Sequence, residues 1–358
     1  MANGTGNTGA SARARPFLAL TPLLLAGIVL SVLIAVRPGP GFAQAVIWPT
    51  LTGGPPVVIA HRGASGLRPE HTLEAYDLAI DQGADWIEPD LVVTRDHILV
   101  CRHDRYLSTT TDVRDRPEFA DREVTKTVNG VARTDWWAED FTLAELKTLR
   151  ARQPFEGRSR DFDGRFKIPT FDEVIALAKS RSTKERIIGV IPETKQPGAL
   201  TALGHDVAGL LVDALTRADW TSARSPVIVQ SFEPDLLKTL MTRLSVRRAQ
   251  LVFAVPNDTG GARSNIPLED LFMYATAVGA QKLLTVDRSG RPSTFVERAH
   301  ALGMPVFAWT YRDDVPPADK VDPKRELERA FRLGIDGVFT DFPATAVDVR
   351  RRLVSERR

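Results

Sequence analysis

Short apolar runs alternate with amphipathic helical patterns along most of this chain, and that alternation limits the folds it can adopt. Residues 57–60 are all apolar, and helical spacing follows at Leu73, Tyr76 and Ile80. A run that is apolar at every position is typical of a strand buried on both faces, as in a parallel sheet. Further strand candidates lie at residues 86–93, 98–102, 187–193, 227–231, 250–254, 282–285, 306–309 and 337–340. Most are separated by helical patterns, which include residues 171–179, 209–217, 235–243 and 325–333.

This alternation predicts an α/β fold, a closed TIM (β/α)₈ barrel. The alternative is an open doubly wound sheet, but no Gly-x-Gly-x-x-Gly turn follows the first strand candidate. The 358 residues are 43% hydrophobic and 26% charged, which is ordinary for a globular protein. Cys101 is the only cysteine of the chain, so an intrachain disulfide is excluded.

Residues 1–45 have the pattern of an export signal. Arg13 and Arg15 precede an apolar run at residues 17–36, and an Ala-Gln-Ala sequence closes the segment. This order predicts a signal peptide that is removed, leaving residues 46–358 as the barrel in the periplasm or secreted. The apolar run is also about long enough to span a bilayer, so the alternative is an uncleaved N-terminal membrane anchor.

Polar side chains recur within, at the end of, or just beyond the strand candidates. They are His61, Glu88, Asp90, His103, Glu193, Lys195, Gln230, Trp309 and Asp341. Active sites of TIM barrels form on the face where the strands end, so we expect these groups to meet there. Residues 104–167 are long, charged and poorly periodic, which predicts an insertion over the barrel mouth that acts as a lid or specificity element.

The clearest acidic pattern is a Glu-x-Asp pair. Glu88 and Asp90 are two residues apart in a strand candidate, so both side chains point to the same face, about 6.5 to 7 Å apart. Two such acids repel one another unless a cation lies between them, and oxygen ligands suit Ca²⁺ or Mg²⁺. Glu193 is a candidate third ligand. From the pattern alone, acids paired with arginines are an equal alternative.

Two histidines supply candidate acid–base groups. His61 and His103 both follow strand candidates, and paired imidazoles can exchange protons near neutral pH, as cleavage of a phosphodiester requires. Arg62 offers a planar fork that suits a phosphate, and Lys195 offers a second positive charge. A solvated surface role for Lys195 is an equal alternative on spacing alone. His71 begins the first helix and is a candidate substrate or supporting contact.

The ordered set of motifs resembles the glycerophosphodiester phosphodiesterase family. In chain order these are VIAHRGASG at 58–66, PEHT at 69–72, EPD at 88–90, HD at 103–104, PETK at 192–195, QSF at 230–232, WT at 309–310 and FTDFP at 339–343. The resemblance covers nearly all of the chain after the N-terminal segment. It implies a TIM barrel, a divalent metal and hydrolysis of glycerophosphodiesters to glycerol 3-phosphate and an alcohol.

The resemblance also implies a role for each matching residue. His61 and His103 become the acid–base pair, and Glu88, Asp90 and Glu193 become the metal ligands. The candidate substrate contacts are Arg62, Lys195, Glu70, His71, Gln230 and Trp309. The PEHT sequence, residues 110–113 and the long insertion resemble the periplasmic, signal-bearing subgroup of the family, which favours Ca²⁺ over Mg²⁺.

Three functions follow from this reading. The first is hydrolysis of a small glycerophosphodiester such as glycerophosphocholine. The second is a phospholipase D-like or sphingomyelinase D-like activity on intact lipid, for which an apolar collar at the barrel mouth is expected instead of a charged insertion. The third is a binding barrel without catalysis, against which the complete His, Arg and acid set argues. A net charge of +2 without a clustered basic stretch argues against nucleic acid, and the sequence predicts no particular oligomeric state.

Overall fold

A computed structural model of the chain describes residues 48–128, 130–257, 261–287, 289–317 and 319–356. These residues belong to one compact unit that begins at Ala45. The predicted signal peptide or anchor, residues 1–45, lies outside the described residues. Within the described ranges, no helix is both long enough and apolar enough to cross a membrane.

The strands appear in an order that matches the predicted alternation. They are β1 (Val57–His61), β2 (Trp86–Glu88), β3 (Asp90–Val93), β4 (Leu99–Cys101), β5 (Val124–Val128), β6 (Val131–Asp135), β7 (Gly189–Val190), β8 (Glu193–Thr194), β9 (Ile228–Ser231), β10 (Arg247–Val252), β11 (Ala254–Pro256), β12 (Ala262–Ser264), β13 (Ala277–Gln281), β14 (Val306–Tyr311) and β15 (Gly337–Thr340).

Parallel pairing closes the main sheet into a barrel. The first strand β1 pairs with both β2 and the last strand β15, and the remaining neighbours follow as β8–β9–β10–β13–β14–β15. Pro89 separates β2 from β3, and Pro192 lies between β7 and β8. Because β2 pairs with β7 and β3 pairs with β8, β2 and β3 together form one strand position of the ring, and β7 and β8 form the next. With these two pairs joined and β4 set aside, eight strand positions form the closed ring. The predicted TIM barrel is confirmed.

Most of the helices cover the outside of the ring, whereas the second one lies within the region 104–167. They are α1 (Leu73–Asp81), α2 (Leu143–Leu146), α3 (Phe171–Arg181), α4 (Pro197–Ala202), α5 (Val207–Arg217), α6 (Pro234–Met241), α7 (Leu268–Leu271), α8 (Phe295–Ala301), α9 (Pro323–Arg332) and α10 (Pro343–Glu356). The start of α3 is typical of the local causes, since the Thr170 hydroxyl accepts from the Glu173 N–H while the Glu173 side chain accepts from the Thr170 N–H. This capping box satisfies two groups that a helix N-terminus otherwise leaves unpaired.

Five of the barrel strands place an apolar side chain in the interior and a polar or aromatic one two positions later. Ile59, Ile191, Ile228, Phe307 and Phe339 pack together inside the ring. Because side chains of a strand alternate faces, the residues two positions beyond them also point inward, nearer the C-terminal end. These are His61, Glu193, Gln230, Trp309 and Asp341. The apolar layer therefore forms the floor on which the polar layer stands.

One sequence-predicted strand is wrong, and another lies outside the ring. Residues 282–285 were expected to form a strand, but Lys282–Leu284 is a 3₁₀ helix and the strand lies just before it, at Ala277–Gln281. The small residues of that strand pack closely between neighbours, whereas the apolar run that suggested a strand follows it. Residues 98–102 do contain β4, but β4 pairs antiparallel with β3 and is a hairpin arm outside the ring.

Residues 104–167 fold on a hydrophobic core of their own. This region contains the antiparallel hairpin of β5 and β6, helix α2 and three short 3₁₀ helices, Val113–Asp115, Pro117–Arg122 and Ala138–Asp140. Buried side chains such as Phe119, Trp136 and Phe141 pack on Val92 and Val100 of β3 and β4. The region is therefore attached to the barrel through the hairpin that follows the second ring strand.

Candidate functional site

A cavity of about 900 Å³ opens at the C-terminal ends of the ring strands. Eight of the residues singled out in the sequence line it: His61, Arg62, Glu88, His103, Glu193, Lys195, Gln230 and Trp309. Residues from the region 104–167, among them Asp104, Arg105, Tyr106 and Val128, form part of its wall. The cavity therefore gathers side chains from the ring and from the insertion.

Three carboxylates meet on adjacent strands at the base of this cavity. Glu88 ends β2, while Asp90 and Glu193 are directly opposite one another in the β3–β8 register. The Glu193 N–H donates to the Pro89 carbonyl over 2.9 Å, so the ladder continues past Pro192 and the Glu193 side chain stays on the inner face. One oxygen from each carboxylate lies within 4.8 Å of the others, and all three residues are buried.

Burial makes this acidic cluster electrostatically costly. Burial, followed by the charges of Asp90 and Glu193, raises the pKa of Glu88 well above its ordinary value. Burial also raises the pKa of Glu193, to about 7. For Asp90, Lys195 and a hydrogen bond from His71 outweigh burial and hold the pKa well below its ordinary value. Burial and mutual repulsion therefore oppose full ionisation of the cluster.

The same cluster fits a divalent cation. Asp90 Oδ1 is buried and accepts no hydrogen bond within the described residues, although the Lys195 ammonium lies 3.7 Å from it. Ca²⁺–oxygen distances are about 2.3 to 2.6 Å, so oxygens up to 4.8 Å apart can share one such ion. A hard cation would also neutralise the repulsion that raises the pKa of Glu88. Glu88, Asp90 and Glu193 are therefore the residues that could hold a metal.

Arg62 follows β1 in an unusual backbone conformation. Its φ is 60°, and Gly63 follows with a φ of 85°. A Cβ on Gly63 would lie 2.6 Å from the Ala75 backbone carbon, so only glycine allows the turn to pack so closely on α1. The Arg62 N–H donates to Glu88 Oε2 over 3.0 Å, and its guanidinium donates to Glu70 over 2.9 Å. The turn thus directs a cation into the acidic cluster.

Glu70 and His71 lie behind the cavity and do not line it, which differs from the expected substrate contact of Glu70 and, for His71, favours a supporting contact over a substrate contact. Both are buried, with side chains 1% and 0% exposed. His71 Nε2 donates to Asp90 over 2.9 Å, while its Nδ1 accepts from the Tyr76 hydroxyl over 2.7 Å. Their place is explained by the left-handed turn at His71, with a φ of 54°, which turns the chain inward beneath Arg62. They support the groups that face the cavity.

His61 is held by Asp341, the residue that directly follows the last strand of the ring. Its Nδ1 lies 2.6 Å from Asp341 Oδ1. Burial and then the Arg62 charge lower the pKa of His61 to about 4, although Asp341 acts in the opposite direction. A neutral imidazole beside a carboxylate carries its proton on the nitrogen that faces the carboxylate, so Nε2 of His61 keeps a free lone pair.

His103 reaches the cavity from the hairpin and is held more loosely. It follows β4, and its Nδ1 lies 3.1 Å from the side chain of the next residue, Asp104. Its side chain is 32% exposed, against 12% for His61. The two histidines therefore line the same cavity but are held differently. His61 ends a strand of the ring, whereas His103 lies directly before the insertion.

Comparison with known proteins identifies the chain. The sequence model of the "Glycerophosphoryl diester phosphodiesterase family" matches residues 61–345. The chain belongs to this family. Glycerophosphodiester phosphodiesterase GDPD6 of Arabidopsis thaliana is 33% identical over 358 residues, which cover 91% of this chain and 95% of that protein. A glycerophosphodiester phosphodiesterase of Haemophilus influenzae is 28% identical, covering 82% and 89%.

A solved structure of the family has the same fold. The structure of an Oleispira antarctica phosphodiesterase in complex with the product sn-glycerol-3-phosphate is 25% identical and superposes with a TM-score of 0.59. The match covers 84% of this phosphodiesterase and 98% of that chain. The family resemblance of the motifs and the TIM barrel are both confirmed by these comparisons.

Four side chains that line the phosphodiesterase cavity or lie behind it received no role in the sequence analysis. Asp341 stood out only as a polar strand end, and its Oδ2 accepts from Arg158 over 2.6 Å and from Arg312 over 2.7 Å. Arg158 lies in the insertion, where no local pattern distinguishes it from neighbouring arginines. Arg312 follows β14 by one residue, so a stricter search of strand ends would have found it.

Phe253 is the fourth such residue, and it belongs to an apolar wall. Phe232 and Phe253 stack with their centroids 4.4 Å apart, and the Trp309 ring stands nearly perpendicular to both. Phe253 and Val315 are exposed at the cavity edge, with 46% and 48% of their surfaces accessible. The bottom of the cavity therefore carries acidic and basic side chains, and one of its walls is apolar. The cavity is more apolar than the charged insertion alone suggested.

Proposed function

We propose that this glycerophosphodiester phosphodiesterase cleaves its substrate with a divalent cation held by Glu88, Asp90 and Glu193 and with His61 and His103 as the acid–base pair. The substrate is a small glycerophosphodiester such as glycerophosphocholine, and the products are glycerol 3-phosphate and an alcohol. The observation that carries the proposal is one cavity lined by two imidazoles, two cationic side chains and two acids, Glu88 and Glu193, which form a buried cluster with Asp90.

The cation-binding part of the proposal is supported by charge. When bound, the metal would supply positive charge to the phosphoryl oxygens and polarise the phosphorus centre. Arg62 and Lys195 line the same cavity and can donate to those oxygens, which binds and orients the phosphate. We propose Ca²⁺ in preference to Mg²⁺, because the PEHT sequence, residues 110–113 and the long insertion resemble the subgroup of the family that favours Ca²⁺.

The acid–base part is supported by the state of His61. Its Nδ1–H donates to Asp341, so its Nε2 can accept the proton of the attacking hydroxyl. As the new phosphorus–oxygen bond forms, the bond to the alcohol breaks, and His103 gives its proton to the departing alkoxide. Attack by water and attack by the neighbouring glycerol hydroxyl through a cyclic phosphate use the same two groups.

Release of glycerol 3-phosphate by the purified protein tests the proposal. We expect turnover of glycerophosphocholine with Ca²⁺, weaker turnover with Mg²⁺, and loss with EDTA. His61→Asn and His103→Asn should each reduce kcat by roughly 100-fold or more. His97→Asn is the matched control, because His97 lies in an exposed turn and does not line the cavity. Full activity in EDTA, or in His61→Asn, would refute the assignment.

The route of attack can be separated by isotope incorporation. Turnover in ¹⁸O-labelled water should place the label directly in glycerol 3-phosphate if water attacks. A cyclic glycerol phosphate that accumulates before the label appears would indicate attack by the glycerol hydroxyl. Either result keeps the roles of the two histidines.

The apolar wall favours a second candidate function, the phospholipase D-like cleavage of a lysolipid. Phe253 and Val315 extend the wall to the cavity edge, where an acyl chain could lie. We expect glycerophosphocholine to remain the better substrate. Higher kcat/KM on micellar lysophosphatidylcholine than on glycerophosphocholine would make lysolipid the substrate instead. In that case Phe253→Ala should reduce the lysolipid reaction more than the glycerophosphocholine reaction.

We also propose that the chain is exported, as its first 45 residues indicate. The mature protein would begin at residue 46, and residues 104–167 would act as a lid or specificity element over the cavity. Cell fractionation with sequencing of the mature N-terminus tests export. A soluble protein that begins at residue 46 supports cleavage, whereas a full-length chain in the membrane fraction supports the anchor. A full-length chain in the cytoplasm would overturn both.

A further inference from the structure

Arg158 joins four segments of the molecule at the support of His61. Its Nη2 donates to Asp341 Oδ2 over 2.6 Å, and its Nε donates to Asp314 over 2.6 Å. Its Nη1 donates to the Ser65 carbonyl over 3.2 Å. The side chain is only 2% exposed. A single guanidinium from the insertion thus contacts the loop after β1, the loop after β14 and the residue that follows β15.

The two oxygens of the Asp341 carboxylate have different partners. Oδ1 faces His61 Nδ1 over 2.6 Å, while Oδ2 accepts from Arg158 and from Arg312. With both cations on Oδ2, the carboxylate cannot rotate without breaking two charge-assisted bonds, which are among the stronger hydrogen bonds in proteins. The plane of the carboxylate, and with it the orientation of the imidazole, is therefore set from the side opposite to the histidine.

The two arginines are not equivalent. Arg312 lines the cavity and is 23% exposed, so it can also contact a substrate directly. Arg158 does not line the cavity, and Phe155 and Phe342 cover its guanidinium. Any influence of Arg158 on the reaction must therefore pass through its partners.

We propose that Arg158 is a positioning residue for His61, acting through Asp341, and that it makes catalysis depend on the seating of residues 104–167 against the barrel. The proposal rests on the proposed function, because it assigns His61 to the reaction. It gives the insertion a second task besides lining the cavity. When the insertion is seated, Arg158 holds Asp341; when it is displaced, Oδ2 loses one of its two cations and the imidazole loses its fixed orientation.

The first test is the kinetics of Arg158→Gln, with Arg160→Gln as the matched control. Arg160 lies in the same segment, but its side chain is 61% exposed. We expect Arg158→Gln to reduce kcat by roughly 10- to 100-fold, as is typical when a supporting contact is lost, while KM stays within about threefold. Arg160→Gln should match the unaltered protein. A higher KM with an unchanged kcat, or equal activity of the two variants, would overturn the proposal.

A double-mutant cycle with Asp341→Asn separates positioning from general destabilisation. If Arg158 acts through Asp341, Arg158→Gln should have little further effect on kcat in the Asp341→Asn protein. An equal fold-loss in both backgrounds would overturn the proposal. Arg158→Lys should recover only part of the activity, since an ammonium cannot contact both aspartates as a fork does.

Two further measurements keep the result interpretable. If Arg158→Gln fails to fold, Asp314→Asn removes the second anchor of Arg158 at a partly exposed site, and a smaller loss of kcat is expected. The proton NMR signal of His61 Nδ1–H, assigned by its loss in His61→Asn, should be present in the unaltered protein and broadened in Arg158→Gln. This signal does not require turnover. An Arg158→Gln signal equal to that of the unaltered protein would overturn the positioning role. If the signal changes as expected but the unaltered protein does not turn over glycerophosphocholine, only the proposed function is overturned.

Discussion

The two ends of the barrel use acidic residues in opposite ways. At the N-terminal end, Asp336 precedes β15, and its carboxylate accepts from the N–H groups of Leu51 and Val306 and contacts His300 Nε2, each over 2.7 Å. Asp85 precedes β2 in the same manner, and it accepts from the Val58 N–H and from Arg350. These carboxylates join the start of one strand to its neighbours.

At the C-terminal end, the acids face one another. Glu88, Asp90 and Glu193 converge within 4.8 Å, and Asp90 Oδ1 has no hydrogen bond among the described residues. Buried carboxylates that lack matched partners cost stability, whereas those with several donors contribute to it. The comparison teaches that one end is arranged for stability, while the other holds unsatisfied charge that a ligand can use.

The largest effect is expected from Glu88→Gln. It should reduce kcat by about 1000-fold or more, equivalent to about 4 kcal/mol of transition-state stabilisation, because the cation loses a charged ligand. Without metal, the protein should become slightly more stable, since repulsion within the cluster falls. Turnover assays and thermal unfolding in EDTA check the two effects. A less stable metal-free variant would contradict the comparison.

Asp336→Ala should show the reverse pattern. It leaves the buried Val306 N–H, the partly buried Leu51 N–H and His300 without their acceptor, so the free energy of unfolding should fall by about 3 kcal/mol. The kcat of the folded fraction should not change. Denaturant unfolding and active-site-normalised kinetics measure both. A tenfold lower kcat with unchanged stability would show that the two ends do not divide in this way.

Glu70→Gln sharpens the comparison through pH. Burial opposes ionisation, but Arg62 and other cations lower the pKa of Glu70 to about 2, from an ordinary 4.5. The stability from this charge is therefore present above pH 4.5 and is lost as the pH falls towards 2. We expect the variant to be less stable by about 2 kcal/mol at pH 7, since glutamine keeps an acceptor for Arg62. The difference should shrink below pH 4.5; a pH-independent difference in unfolding free energy would contradict the charge-based account.

The smallest effect is expected from Asp85→Asn. The side chain is 31% exposed, and asparagine retains an oxygen that can accept from the Val58 N–H. The loss should be about 1 kcal/mol, mainly from the weakened contact with Arg350, without a change in kcat. Thermal unfolding with Arg351→Gln as an exposed control measures it. A loss of stability as large as that of Asp336→Ala would show that the contribution of these carboxylates to stability does not depend on their exposure.

Much of the barrel and of its rim could be predicted from the sequence, because the causes are local. The run at 57–60 forms β1, and the alternation of faces along a strand explains why Glu88 and Asp90 share one cluster. The prediction of a strand at 282–285 was wrong. The strand lies just before it, at Ala277–Gln281, where small residues give only a weak apolar pattern.

Contacts between distant segments carry no comparable local signal. Glu70 was expected at the substrate, and His71 either there or as a supporting contact; the left-handed turns at Arg62 and His71 put both behind the cavity. Phe253 joined the apolar wall because its ring stacks on Phe232, which is not evident from either strand alone.

The order of strands and helices, and the chemical groups at each strand end, follow from the sequence, since periodicity and residue type are properties of short segments. Which of these groups meet depends on how the chain packs. Closure of the ring brings Asp341 to His61, and the folded insertion brings Arg158 to the same carboxylate from 183 positions away. Such contacts depend on the packing of whole elements, and no spacing within a segment encodes them.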